Sequence, residues 1–187
     1  GSSPELAEGK FFPGHYVVSK DAGPEDVAKL LNQEFTTNVS SRYTEKIEQL
    51  VPLEDALTIA SLLEREAYDF EDMRYISGVI WNRLFIDMNL QLDASLQYAK
   101  ANTSQESWWP NVRPQDKYID SPFNTYKNSG LPPTPIANPS TEAILAALNP
   151  KSTSCIFYFH DKDGGFHCTE TYEEHKKLLR EYYTIKE

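Results

Sequence analysis

A regular pattern of apolar positions predicts a core-facing helix between Leu53 and Ala67. At about 100° per residue, six apolar side chains fall on one arc of this helix. They are Leu53, Ala56, Leu57, Ala60, Leu63 and Ala67. Ile59 and Leu62 lie outside the arc. We therefore expect other elements to cover the helix on more than one side.

One charged residue lies on the apolar arc of this helix. Glu64 falls inside the arc, whereas Arg65 and Glu66 point away from it. A carboxylate on a buried face must be paired or stay partly protonated, and a protein can use such a group as a general acid near neutral pH. The alternative is a boundary glutamate whose methylene stem packs while its charged head reaches water.

Helical spacing and capping signals predict further helices, and turn residues between apolar runs predict a β-hairpin. The helices cover residues 24–35, 42–50, 69–88, 138–149 and 171–183, and the hairpin covers residues 155–169. Residues 1–20 indicate an extended or hairpin segment, and residues 94–100 a helical turn or two. Residues 121–139 contain five prolines and several apolar anchors, which is typical of a long ordered loop. We predict an α+β fold, in which β-hairpins beside a helical core form one wall of a substrate groove.

Composition and charge narrow the class of protein. Of the 187 residues, 40% are hydrophobic and 25% charged, so we expect one globular domain over residues 1–187. The net charge of −10, with no basic patch, argues against nucleic acid and anionic membrane surfaces as ligands. The longest apolar runs are too short to span a bilayer, and no signal peptide is visible. A start at Gly1-Ser2-Ser3, without methionine, is typical of a cloning remnant joined to a fragment.

The two cysteines of the chain, Cys155 and Cys168, flank the predicted hairpin. If Asp163 and Gly164 form its turn, position 155 lies opposite about position 172. The two cysteines are then not cross-strand partners. We therefore expect two free thiols.

The sequence contains no pattern typical of a metal or cofactor site. The four histidines lack metal-ligand spacing. They are His15, His160, His167 and His175. The segment that begins at Asp161 resembles a calcium loop, but its twelfth position is Tyr172 instead of glutamate. We therefore predict no bound metal and no cofactor.

Short motifs follow one another along the chain in the order of a known family. They are AEGKFFP at residues 7–13, IASLLERE at 59–66, VIWNRL at 79–84, LQLD at 90–93, SPFNTY at 121–126, GLPPTPI at 130–136, and FYF at 157–159 with DGGFH at 163–167 and EH at 174–175. They are similar to the family segments LEGYLFPDTY, ASIVEKE, VFINRL, LQTD, YNTY and GLPPGPI. Each motif is weak alone, but their shared order over most of the chain is specific. The chain resembles the YceG-like endolytic murein (lytic) transglycosylases.

The resemblance implies a catalytic residue and the residues that line its groove. We assign the catalytic role to the first glutamate of the family's EKE segment, which carries over to Glu64. The family motifs also imply substrate-binding positions. These are Asn82, Gln91 and Asp93. In the proline-rich loop, Asn124 and Tyr126 offer an amide and a hydroxyl to an N-acetylated sugar, unless they only pin the loop's own backbone.

The function that the resemblance implies is endolytic cleavage of peptidoglycan glycan strands. Glu64 would protonate the glycosidic oxygen and then deprotonate the muramyl C6 hydroxyl, which leaves a 1,6-anhydro end. The resemblance also implies the extracytoplasmic face of the bacterial cell membrane, an amino-terminal anchor and LysM-like region outside this chain, and the cell-wall synthesis machinery as a partner. Two rivals stay open. One is a lysozyme-like hydrolase with Asp93 as its second carboxylate, and the other is a non-catalytic sugar-binding or cell-division scaffold module.

Overall fold

Seven α-helices and one β-hairpin make up the fold in a computed structural model that describes residues 7–103 and 108–183. The helices are α1 (Pro24–Asn38), α2 (Glu45–Leu50), α3 (Leu53–Glu66), α4 (Phe70–Phe85), α5 (Asp93–Thr103), α6 (Thr141–Leu148) and α7 (Tyr172–Tyr183), and the strands are β1 (Phe157–His160) and β2 (Phe166–Thr169). Short 3₁₀ turns cover Ser40–Arg42 and Pro114–Tyr118. The first residues, Gly1 to Ser3, lie outside the described part.

Helix α3 is the centre of the hydrophobic core. Every residue from Ala56 to Leu63 is buried, so this helix is covered on all sides over two turns. Helices α4, α5 and α6 pack around it. Full burial of a side chain such as Leu57 or Ile59 stabilises the fold by about 1.5–3 kcal/mol. The expectation that α3 is covered on more than one side is confirmed.

Local capping explains where the helices begin. The Asp69 carboxylate accepts a hydrogen bond of 2.9 Å from the Asp72 amide and so begins α4. The Ser140 hydroxyl accepts one of 3.2 Å from an amide in the first turn of α6. Thr171 and Glu174 each accept a bond from the other's amide, both of 3.3 Å. This is the capping box predicted for α7.

Helix α5 is longer than the turn or two predicted over residues 94–100. Polar residues on its buried sides hide its apolar pattern in the sequence. Ser95 is fully buried and donates to the Leu92 carbonyl at 2.8 Å. Lys100 is buried and forms an ion pair of 3.0 Å with Asp116. Because these polar groups are satisfied inside the protein, their burial does not prevent the helix from packing.

The proline-rich stretch over residues 121–139 is an ordered loop tied to the helical core. Asn124 and Thr125 are buried in it, and the Thr125 hydroxyl accepts a hydrogen bond of 3.0 Å from the Leu92 amide. Further along, the Ile136 amide donates to a serine hydroxyl of α3 at 3.0 Å. The predicted long ordered loop is confirmed.

Strands β1 and β2 pair antiparallel, with Phe157 opposite Thr169 and His160 opposite Phe166. This hairpin is the one sheet in the described part of the chain, and with the helices it confirms the α+β class. Residues 7–20 contain no strand, so the hairpin alternative for that segment is wrong. The expectation of one domain remains a prediction.

Cys155 and Cys168 form a disulfide, with their Cα atoms 5.7 Å apart. The prediction of two free thiols is therefore wrong. It assumed that the strand register extends to Cys155, but that residue precedes β1, and Cys168 lies opposite Tyr158. The Asn82 amide instead holds the Thr153 and Cys155 carbonyls, at 2.8 and 3.0 Å. The chain before β1 thus leaves the ladder and brings the two sulfur atoms together.

Candidate active site

Two glutamates near the end of α3 contact different parts of the protein. Glu64, half-buried, accepts two hydrogen bonds at Oε2, one of 3.0 Å from the Ser140 amide and one of 2.8 Å from the Ser140 hydroxyl. Ser61, one turn earlier, accepts the bond from the Ile136 amide. Glu64 and Ser61 together attach α3 to the end of the proline-rich loop and to the start of α6.

Glu66 lies where α3, α5 and β1 meet. Its Oε1 accepts a hydrogen bond of 3.0 Å from the Ala94 amide in the first turn of α5. Its Oε2 accepts one of 3.0 Å from the Tyr158 hydroxyl on β1. The carboxyl is thus fixed at both oxygens by groups that come from two other elements.

Burial raises the pKa of Glu66 above the ordinary glutamate value, and the neighbouring Asp93 charge adds to the rise. The Ala94 amide, the Tyr158 hydroxyl and His160 act in the opposite direction but do not cancel it. A raised pKa keeps a proton available on the carboxyl at higher pH. This is the property of a general acid.

Tyr158 holds Glu66 directly, and Arg83 holds the two elements that contact Glu66. Burial raises the pKa of Tyr158 well above that of a free tyrosine, so its hydroxyl stays a neutral donor. The buried Arg83 donates from Nε to the Ile156 carbonyl at 2.6 Å and from Nη1 to the Leu90 carbonyl. Arg83 therefore joins β1 to the segment before α5, the two elements whose groups contact Glu66.

Asp93 and Tyr126 form a second pair at the same place. Asp93, exposed at the start of α5, accepts a hydrogen bond of 2.6 Å from the Tyr126 hydroxyl. Burial and the Asp93 carboxylate raise the pKa of Tyr126, and Glu66 contributes electrostatically. The structure therefore brings two of the predicted site residues, Asp93 and Tyr126, together. They lie near Glu66, whereas the sequence predicts Glu64 as the catalytic residue.

Gln91, another predicted site residue, is exposed two residues before Asp93 and has a left-handed backbone with φ 51°. Its amide donates to the Thr125 carbonyl at 3.1 Å, which holds this conformation in place. A non-glycine residue in this region is strained, and such strain occurs often at functional sites. The position next to Asp93 is consistent with the predicted role of Gln91.

Asn82 and Asn124 use their side-chain amides to hold backbone. Asn82 donates to two carbonyls before β1, and it lines a cavity of about 460 Å³ that Glu66 does not line. Asn124 is fully buried, donates to the Lys117 and Ile119 carbonyls at 3.1 and 2.8 Å, and accepts from the Tyr126 amide at 3.0 Å. For Asn124 this geometry favours the alternative in which it pins its own loop.

Comparison with known proteins identifies the family. The model of the YceG-like family matches residues 2–181. The chain belongs to the YceG-like family. The resemblance that the motifs carried is therefore confirmed over nearly the whole sequence.

Relatives of this YceG-like chain are longer proteins. Over 180 residues it is 35% identical to the endolytic murein transglycosylase of Bacillus subtilis and 31% identical to that of Streptococcus pneumoniae. Each alignment covers 96% of this chain. These alignments cover 49% and 33% of the relatives. A 2.6 Å crystal structure of a YceG-like protein from Listeria monocytogenes matches with a TM-score of 0.81 and 33% identity, over 91% of this chain and 55% of that one. This chain spans about half the length, or less, of the proteins it matches.

Sequence reasoning passed over Glu66, although one signal in this YceG-like chain points to it. Ile59 and Leu62 precede Glu66 by seven and four residues, which places all three on one helix face. That face lies outside the apolar arc that contains Glu64. Because α3 is buried on all sides, a charged residue on its second apolar face is as strong a candidate for a functional site as one on its first.

Two further observations concern the described ranges 7–103 and 108–183. Within them, no three or more His, Cys, Asp or Glu side chains are grouped so that they could hold a metal ion. None of the helices described there has both the length and the apolar character to cross a membrane.

Proposed function

We propose that this YceG-like chain cleaves peptidoglycan glycan strands as an endolytic lytic transglycosylase, with Glu66 as its general acid and base. The names of the Bacillus and Streptococcus relatives support the reaction class. The observation that carries the residue assignment is the position of Glu66. It is fixed by the Ala94 amide and the Tyr158 hydroxyl, and burial raises its pKa.

In this mechanism Glu66 first protonates the glycosidic oxygen between N-acetylmuramic acid and N-acetylglucosamine, and the bond from this oxygen to the muramyl anomeric carbon breaks, so that the oxygen leaves as a hydroxyl of N-acetylglucosamine. The resulting carboxylate then takes the proton from the muramyl C6 hydroxyl, which attacks its own anomeric carbon and forms the 1,6-anhydro end. One carboxyl group suffices, because the nucleophile belongs to the substrate. The second carboxylate of a glycoside hydrolase is not needed.

The surroundings of Glu66 support both steps. Burial favours the protonated form that starts the reaction. The Ala94 amide at the start of α5 and the Tyr158 hydroxyl stabilise the carboxylate that follows. A group held between these opposing influences can exchange a proton in both directions.

Glu64 fits the acid role less well than Glu66. Both hydrogen bonds to its Oε2 come from Ser140, at the junction of the proline-rich loop with α6. We therefore propose that Glu64 positions this loop. The catalytic role that the EKE motif suggested for Glu64 remains a prediction, which parallel substitution of the two glutamates tests.

The remaining site residues would bind the sugars. Asp93, Tyr126 and Gln91 lie at the start of α5 and on the adjoining loop. The Asp93–Tyr126 pair supplies a carboxylate and a phenol side by side, groups that suit sugar hydroxyls and N-acetyl groups. We propose that these three residues hold the glycan across Glu66.

We further propose that the chain works on the extracytoplasmic face of the bacterial membrane, with the cell-wall synthesis machinery as a partner. The Cys155–Cys168 disulfide supports the compartment, because such bonds persist in oxidising surroundings. The partner rests on the family resemblance alone. Protease accessibility of the protein in intact spheroplasts tests the compartment.

The decisive experiment is digestion of purified sacculi followed by mass spectrometry before and after borohydride reduction. Anhydro products are about 18 Da lighter than hydrolysis products of the same saccharide and do not reduce. We expect anhydro ends from the wild type and a yield lower by about 10²–10⁴-fold at equal times from Glu66→Gln. Quantitative reduction would mean a hydrolase, with Asp93 as second carboxylate. Binding of sacculi without any release of products would indicate a scaffold module.

A further inference from the structure

A buried aspartate–histidine pair lies next to the proposed site and has no role in the mechanism above. His160 Nε2 on β1 is 2.8 Å from Asp72 Oδ2 on α4. The same Asp72 oxygen accepts a hydrogen bond of 2.9 Å from the Tyr68 amide, and the Tyr68 ring meets the His160 ring edge-on at 4.8 Å. Asp72 is only 8% exposed. The pair therefore joins α4 to β1 inside the protein.

The histidine of this pair stands beside the tyrosine that holds Glu66. Tyr158 and His160 are two residues apart on β1, so their side chains point to the same face of the strand. Their ring centroids are 6.3 Å apart, and Phe166 on β2 packs against both, at 5.8 and 5.7 Å. A shift of His160 would therefore be transmitted to the Tyr158 hydroxyl and from it to Glu66.

We propose that Asp72 and His160 are positioning residues for Glu66, and that the net charge of this pair shifts the pH range over which Glu66 carries its proton. The inference rests on the proposed role of Glu66 as the acid. It adds two residues that do not touch the substrate but act on the acid through space and through Tyr158.

The hydrogen bonding of Asp72 explains why the charge of the pair matters. The Oδ2 atom has two donors, whereas the buried Oδ1 atom has no hydrogen-bond partner in the described part of the chain. A buried carboxylate with an unsatisfied oxygen depends on its remaining partners for compensation. His160 is the partner able to carry a positive charge. Without it, the negative charge of Asp72 acts on the groups nearby.

His160 and Asp72 have opposite electrostatic effects on the pKa values of nearby groups. His160 lowers the pKa of Glu66, and Asp72 contributes to the raised pKa of Tyr158. Other groups also face this region, and any change in them would confuse the test. Around Glu66 they are Asp93, Arg83, Tyr126 and Tyr158, and around His160 they are Tyr68, Tyr158, Phe166 and, on its carbonyl, the Tyr183 hydroxyl. Substitutions at Asp72 and His160 leave all of these in place.

The test compares pH profiles of kcat/KM for His160→Gln, Asp72→Asn and the double variant. Glutamine keeps a donor for Asp72 but cannot carry a charge, so the influence of His160 that lowers the pKa of Glu66 is lost. The alkaline limb of the profile should then move up by roughly one pH unit, the low end of the effect of a neighbouring opposite charge. Asp72→Asn should move it down. The double variant removes both ionisable groups of the pair, so its profile should lie between those of the two single variants.

A matched control exists on the other face of the same hairpin. His167 on β2 pairs with Asp161 at 2.6 Å and lies opposite Phe159, whose side chain points away from the face of Tyr158 and His160. His167→Gln should lower the melting temperature without moving the pH profile. If the His160 and Asp72 variants behave in the same way, or shift the profile in the same direction, the pair is merely structural and the inference fails.

A second measurement separates this inference from the proposed function. The titration of the Glu66 side-chain carboxyl can be followed by carbon-13 NMR in the wild type and in His160→Gln, with Glu66→Gln to assign the signal. This measurement needs no turnover. An active Glu66→Gln variant would overturn the proposed acid, whereas an unmoved Glu66 titration in His160→Gln would overturn the role of the pair.

Discussion

The Glu64 carboxylate accepts two hydrogen bonds from Ser140, one from the Ser140 amide and one from the Ser140 hydroxyl. Glu64, the glutamate on the main apolar arc of α3, therefore attaches α3 to the residue that begins α6. Glu66, two residues later, contacts α5 and β1 instead. The two carboxyls have different hydrogen-bond partners, so their substitutions should have different consequences.

Replacing each glutamate by glutamine should separate their roles. Glu66→Gln should lower kcat/KM by about 10²–10⁴-fold, because an amide cannot donate and retake the proton. Glu64→Gln should keep most of the activity, since its amide oxygen still accepts from Ser140. Rates on soluble glycan strands, with melting curves for both variants, measure the difference. The reverse ranking would restore Glu64 as the acid.

The pH dependence of activity and stability should follow the raised pKa of Glu66. The acid must start protonated, so kcat/KM should fall as pH rises through this pKa. A raised pKa also means that the folded chain binds the proton more tightly than the unfolded chain. The resulting stability is present below the unfolded pKa and is lost as pH rises through the folded one.

The uncharged Glu66→Gln variant should escape this loss of stability. Its melting temperature should exceed that of the wild type above the folded pKa, and the difference should disappear as pH falls through the unfolded value. Thermal unfolding at a series of pH values provides the test. A constant difference across the whole range would contradict the raised pKa.

Asn124 and Tyr126 should respond in opposite ways to substitution. Asn124→Ala removes three partly buried hydrogen bonds and should lower the free energy of unfolding by about 3 kcal/mol. Tyr126→Phe removes only the bond to Asp93, so it should change stability little but lower kcat/KM. Urea unfolding and rates per folded molecule distinguish them. Wild-type kcat/KM in Tyr126→Phe would remove that hydroxyl from the site.

The disulfide should contribute to stability through the unfolded state. Its cysteines are 13 residues apart, and closing a loop of this size is worth about 3 kcal/mol. The double variant Cys155→Ser/Cys168→Ser should lose about this much stability. A reducing agent should lower the melting temperature of the wild type and leave that of the double variant unchanged. Insensitivity of the wild type would mean that the bond does not form in solution.

Gln91 should show a conflict between stability and activity. Glycine at this position removes the strain of the left-handed backbone, which costs roughly 1–2 kcal/mol in a residue with a side chain. Gln91→Gly should therefore be as stable as the wild type or more so, and should have a lower kcat/KM. The control Gln91→Asn keeps an amide at a position that asparagine tolerates. Equal activity in all three proteins would place Gln91 outside the site.

Local signals in the sequence located most helices of this fold, and long-range contacts account for what it could not locate. The caps at Asp69 and Ser140 lie next to the helices they begin, so they could be identified from neighbouring residues. The apolar pattern identified α3 but could not rank its faces, because the helix is covered on every side. The choice between Glu64 and Glu66 depends on which face meets β1.

The pairing of the two cysteines cannot be predicted from local sequence for a related reason. A strand register is a reliable guide only while both chains stay in the ladder, and Cys155 lies beyond its end. The bond of the Asn82 amide to the carbonyl of Cys155, 73 residues away in sequence, keeps the chain out of register there. No local pattern around either cysteine carries that information.

The convergence of three elements on Glu66 also has a consequence for the timing of activity. The Ala94 amide and the Tyr158 hydroxyl come from residues 28 and 92 positions further along the chain. Until the hairpin has been made and has docked, Glu66 lacks the Tyr158 hydroxyl as a partner and the burial that raises its pKa. The proposed cutting activity therefore exists only in the completed fold, and a half-folded chain lacks it.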